Sequence, residues 1–107
     1  MIIDFHIHLS RPEHEHPWVM DWMRSNFSGD LDEFVEQILT PQGIRQYLQA
    51  NDIDWAVGLA EVSPITTGVA DNEYVGKFCA EANRIADPAS GPRGRVLPFA
   101  SINPFIV

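Results

Sequence analysis

The sequence predicts an α/β fold built on a parallel sheet. Three observations carry that prediction. Short apolar, β-rich runs recur at residues 1–7, 55–60 and 95–101. Between them, apolar residues fall at helical spacing. The middle run, WAVGLA, is apolar throughout, as in a parallel strand covered on both faces. Strands alternating with helices imply right-handed βαβ crossovers in one sheet.

Each element has its own signal. Met1-Ile2-Ile3 leads into Asp4-Phe5-His6-Ile7-His8 and reads as a buried first strand. Residues 10–29 read as a long polar loop without clear periodicity, and loops of that length are often functional. Leu31, Phe34, Val35, Ile38 and Leu39 then mark a helix with Asp30 at its N-cap. Thr40-Pro41 starts another, with a hydroxyl at the N-cap and proline at N1, where the missing N–H costs nothing. Ile44, Tyr47 and Leu48 form its buried stripe, and it ends near Asn51. Residues 63–68 read as a turn. Asp71 caps a last helix with Val75, Phe78, Cys79, Ala82, Ile85 and Ala86 on one side. Residues 87–95, with two prolines and two glycines, read as a loop. Asn103-Pro104 ends the region of the third strand.

Composition narrows the function classes. The 107 residues suit one small domain, and 45% apolar residues suffice for a packed core. Fifteen acids against seven bases give a net charge of -8. With no Lys/Arg cluster to neutralise phosphate, nucleic acid and anionic membrane are not the expected partners. The single cysteine, Cys79, forms no intrachain disulfide and reads as a small buried hydrophobe. A reducing cytoplasm is the expected location. No signal-peptide pattern opens the sequence, and no apolar stretch approaches the roughly 20 residues that span a bilayer.

The chemistry concentrates in Asp4-Phe5-His6-Ile7-His8. In a regular strand alternate side chains share a face, and the rise puts the Cα atoms of His6 and His8 roughly 6.6 Å apart. Two imidazoles at that spacing can converge on one divalent cation, zinc first among the candidates. The same period of two puts Asp4 on their face, where a carboxylate can orient a histidine ring. The alternative is an inward polar residue satisfied by backbone. His14 and His16 form a second H-x-H without strand character and read as solvated loop residues. Trp18, Trp22 and Phe27 read as loop packing. No G-x-G-x-x-G, G-x-S-x-G, C-x-x-C or P-loop motif occurs.

Three segments in order resemble the first part of an amidohydrolase-superfamily enzyme: IIDFHIHL, TPQGIRQYLQANDIDWAVGLA and RVLPFASINP. The likeness is greatest to the amidohydrolase-related branch. That branch includes aminocarboxymuconate-semialdehyde-decarboxylase-like and resorcylate-decarboxylase-like proteins. The resemblance implies a (β/α)8 barrel of roughly 250 residues, of which residues 1–107 form the N-terminal portion as a single domain. It implies a metal-dependent hydrolase or decarboxylase acting on a small carboxylate-bearing molecule. His6 and His8 would be metal ligands, with a later histidine and aspartate outside this chain completing the site. Arg11, Glu61 and Asn103 would lie on the C-terminal face, where βα loops bind substrate. TatD-like and polymerase-and-histidinol-phosphatase-like phosphoesterases also open with a strand ending H-x-H, but the later segments match them less well. A non-catalytic structural or metal-binding chain is the third reading. An unclosed barrel has uncovered strand edges, so self-association is expected.

Overall fold

The computed structural model describes residues 1–85 and 94–103. It is a mixed α/β chain with a parallel three-stranded sheet. In chain order the elements are β1 (Ile3–His8), a 3-10 turn (Pro12–His14), α1 (Pro17–Asn26), α2 (Leu31–Ile38), α3 (Pro41–Ala50), β2 (Trp55–Leu59), β3 (Glu61–Ser63), β4 (Gly68–Ala70), α4 (Asn72–Arg84) and β5 (Arg95–Phe99). The sheet order is β1-β2-β5, and β3 pairs with β4 as an antiparallel hairpin. Among the described residues no helix is long and apolar enough to cross a membrane.

The helix starts follow local chemistry. Asp30 Oδ1 accepts the Glu33 N–H at 3.1 Å, Thr40 Oγ1 that of Gly43 at 3.0 Å, and Asp71 Oδ1 that of Tyr74 at 2.8 Å. Each cap satisfies an N–H that the first helical turn leaves without a partner.

α3 and α4 pack on one face of the sheet. Ile44 and Leu48 of α3 meet Val75, Phe78, Cys79 and Ala82 of α4 over Ala56 and Val96. Withdrawing a side chain such as Leu48 or Val96 from water contributes about 1.5–3 kcal/mol. A second, smaller cluster joins Met20 of α1 to Leu31 and Val35 of α2. The other sheet face is open: Phe5 is 71% exposed, Leu97 42% and Phe99 52%.

The outer edge of β5 is satisfied from within. Arg95 N–H donates to Asp54 and the Phe99 carbonyl accepts from Ala60, so these residues face β2. By alternation Val96 and Pro98 face outward. Val96 N–H donates to Asn83 Oδ1 and its carbonyl accepts from Asn83 Nδ2, both at 2.9 Å.

Three expectations are changed or extended. The stretch 10–29 holds the 3-10 turn and α1, because Pro17 follows an extended His16 and sits where its missing N–H is harmless. α1 lacked a periodic signal because it buries only Met20. The turn at 63–68 is flanked by β3 and β4, strands too short for alternation to reveal. Tyr47 is 45% exposed, whereas Arg45 on the same helix is 3% exposed and reaches the helix-packed interior. Ala86, the loop at 87–93 and Pro104 lie outside the described residues.

Gly58 lets β1 and α4 close on β2. A Cβ there would lie 2.6 Å from Leu9 Cδ1 and 3.4 Å from Cys79 Sγ. Leu9 and Cys79 are themselves fully packed, at 0% and 1% exposure, and have little room to yield. Gly58→Ala is expected to lower stability by about 1–3 kcal/mol through overpacking, read as a lower urea midpoint at unchanged slope.

Candidate metal centre

β1 is not a regular strand. Asp4 lies opposite Ala56, and Ile7 opposite Gly58, so β1 inserts one extra residue against β2. The bulge changes which residues share a face. Ile7 and Leu9 turn toward the helices, and Leu9 is fully buried there. His8 pairs with Leu59 and faces the open side. Asp4 pairs with Ala56 and faces the helices, so the two-residue period does not carry Asp4 to the side of His8. Its carboxylate instead accepts the His6 backbone N–H at 3.0 Å. Asp4 therefore ties the bulge and does not orient a ring.

His6 and His8 do converge. Their Nε2 atoms are 2.9 Å apart, with ring centroids at 4.8 Å and planes at 64°. At that distance one ring donates its N–H to the other. Both residues are exposed, at the C-terminal end of the first parallel strand. Among the described residues no group of three or more His, Cys, Asp or Glu side chains is arranged to hold a cation. A cavity of about 300 Å³ lies along β1, lined by Asp4, His8 and Ser10 as well as by Ile38, Ile44 and Leu48.

The remaining candidates are held elsewhere. Arg11 Nη1 donates to the Leu39 carbonyl at 2.6 Å and reaches the Val35 carbonyl at 3.5 Å, while its Nε donates to Glu13 at 3.2 Å. The guanidinium thus satisfies carbonyls at the end of α2. Glu61 accepts a hydrogen bond from the Thr67 hydroxyl. Asn103 Nδ2 donates to the Val62 carbonyl at 3.0 Å. His14 and His16 are half-buried and structural, not solvated. His14 Nδ1 accepts the Arg11 N–H at 2.9 Å and its ring packs on Tyr74, while His16 Nε2 contacts the Pro64 carbonyl. Phe27 packs against Phe34 and Trp18 donates to the Thr66 carbonyl, whereas Trp22 is 62% exposed. Cys79 is buried, and burial pushes its thiol up to about 11.

One group escaped the sequence reading. Burial, together with the neighbouring Glu61 carboxylate, raises Glu15 above the ordinary carboxyl range, against the pull of Ser10 and His16. Glu13, two residues earlier, is exposed and held below that range, first by a backbone hydrogen bond and then by Arg11. Glu13 and Glu15 alternate with His14 and His16, and no local feature separates them.

These features define an α/β chain with an H-x-H pair at the C-terminal end of its first parallel strand. No protein-family model, curated protein or solved structure matches it.

Replacing Arg11 tests its structural role. Arg11→Met keeps the aliphatic stem but strands the Leu39 carbonyl, and is expected to cost about 1.5–3 kcal/mol of stability. Chemical denaturation measures it, as a lower midpoint at unchanged slope.

Proposed function

We propose that this chain is the metal-holding portion of a metal-dependent hydrolase or decarboxylase of the amidohydrolase type. The observation that carries the reading is the convergence of His6 and His8 where β1 ends. Strand order supports the barrel: β1, β2 and β5 lie side by side in chain order, with α3 and α4 on one face. A doubly wound sheet carries helices on both faces, whereas a barrel turns its bare face inward to be filled by apolar side chains. Phe5, Leu97 and Phe99 on the open face fit such an interior.

The pair fits a zinc ion. Nitrogens bound tetrahedrally at about 2.0–2.1 Å are roughly 3.3 Å apart, so the observed 2.9 Å separation needs to widen by only about 0.4 Å. Bound there, zinc would supply a water acidic enough to ionise near neutrality and would polarise a substrate carbonyl or carboxylate. The protein's own contribution is to present both Nε2 lone pairs. This requires both rings neutral and the N–H between them given up, so uptake strengthens with pH. The substrate is a small carboxylate-bearing molecule, with Glu61 and Asn103 on segments that follow β2 and β5. Arg11 is held at the end of α2 by the Val35 and Leu39 carbonyls. A reducing cytoplasm suits the lone buried Cys79.

A second reading, a non-catalytic metal holder, is favoured by the limit of two converging donors among the described residues. Calorimetric titration with zinc tests both readings. One ion per chain is expected, with His6→Ala and His8→Ala each weakening uptake at least about tenfold. Equal uptake by all three proteins would remove the metal proposal altogether. Turnover of small amides or aromatic carboxylates by the loaded chain then separates enzyme from holder.

We also propose self-association through the β1 edge and the open face. Sedimentation equilibrium should return a mass above that of one chain, and a stable monomer at high concentration counts against it.

A further inference from the structure

Away from the histidine pair, the segment following β1 is fastened to the hairpin that follows β2. Glu15 forms an antiparallel bridge with Gly68. His16 N–H donates to the Thr67 carbonyl at 2.7 Å, and Trp18 Nε1–H to the Thr66 carbonyl at 2.9 Å. The His16 ring contacts the Pro64 carbonyl. Gly68 makes the approach possible, since a Cβ there would lie 2.1 Å from the His14 carbonyl oxygen.

Two carboxyls meet in this seam. Glu15 Oε2 is shut off from solvent and has no hydrogen-bond partner. Glu61 opens β3 and takes the Thr67 hydroxyl on Oε1. The groups facing Glu15 are Ser10 and His16 from its own segment and Glu61 from the hairpin.

We propose that Glu15 and Glu61 form a proton-shared carboxyl pair that latches the segment after β1 to the β3–β4 hairpin. With one proton between them, the protonated carboxyl donates to the carboxylate. When that proton leaves, two like charges face each other in a place where water screens them poorly. The latch weakens, and both segments loosen at the C-terminal end of the sheet. The elevation of Glu15 agrees with this geometry, and burial is its first cause. The sign follows from linkage. The closed seam binds the proton more tightly than the open one. The latch is at full strength below the ordinary carboxyl value of about 4.3 and fades as pH rises through the raised value of Glu15. Each unit of elevation changes the opening equilibrium about tenfold.

Amide hydrogen exchange at His16, corrected for intrinsic rate, reads this opening. Between about pH 4 and about pH 8 the wild-type protection should fall by about tenfold for each unit by which Glu15 is raised. In Glu15→Gln, which keeps the shape but cannot ionise, protection should not change with pH. His16 faces the same pair and remains in that variant, so a fall caused by its imidazole would persist there. A flat wild-type profile, or the same fall in Glu15→Gln, overturns the latch. If Glu15→Gln does not fold, carbon-13 titration of the wild-type Glu15 carboxyl decides alone. A midpoint clearly above the ordinary range is required, and a value within it overturns the proposal.

Discussion

The geometry of this protein turns on one extra residue in β1. Without it, a two-residue period would send Asp4, His6 and His8 to one face and Ile7 and Leu9 to the other for the whole length of the strand. The insertion between Asp4 and Ile7 lets the strand begin in one phase and end in the other. Asp4 faces the helices, His8 faces the open side, and Leu9 enters the core at full burial. The Asp4 carboxylate holds the insertion by accepting the His6 N–H. A carboxylate that seemed placed to steer an imidazole ring steers its backbone instead.

The rest of the architecture exploits that switch. Gly58 admits Leu9 and Cys79 against β2, so β1 and α4 share one core. With the main cluster on the helix side, the opposite side carries Phe5, Leu97, Phe99 and the two histidines around the buried Val57. The same strand therefore anchors the fold on one face and offers donor atoms on the other. At the sheet edge the cavity along β1 still brings His8 beside Ile44 and Leu48 of the core.

Much of the fold was legible because the signals were local. Asp30, Thr40 and Asp71 cap helices as their side chains and positions predict. The unbroken apolar run at β2 announced a central parallel strand, and the structure pairs it on both sides. What was not legible depended on distant contacts. α1 rests on a small cluster with α2, so it left no stripe. The hairpin is held by backbone bonds to residues 15 and 16 and by side chains from Trp18 and Asn103, contacts distant in sequence that no local pattern announces. Arg11 was a natural choice for a substrate carboxylate until the carbonyls of α2 claimed it. The convergence of His6 and His8 was legible in their spacing, whereas the role of Asp4 was not, because a bulge has no strong sequence mark.

The two rims of the sheet are not equivalent. At β5 the outward backbone groups of Val96 are already bonded to the Asn83 amide, and Pro98 has no hydrogen to offer. A newcomer at that rim finds no template to copy. Stacking copies head to tail needs both rims to be receptive, so endless ribbons of this protein are blocked at one end. Among the described residues, a strand added at β1 has no matching template at β5 on which edge-to-edge pairing could continue.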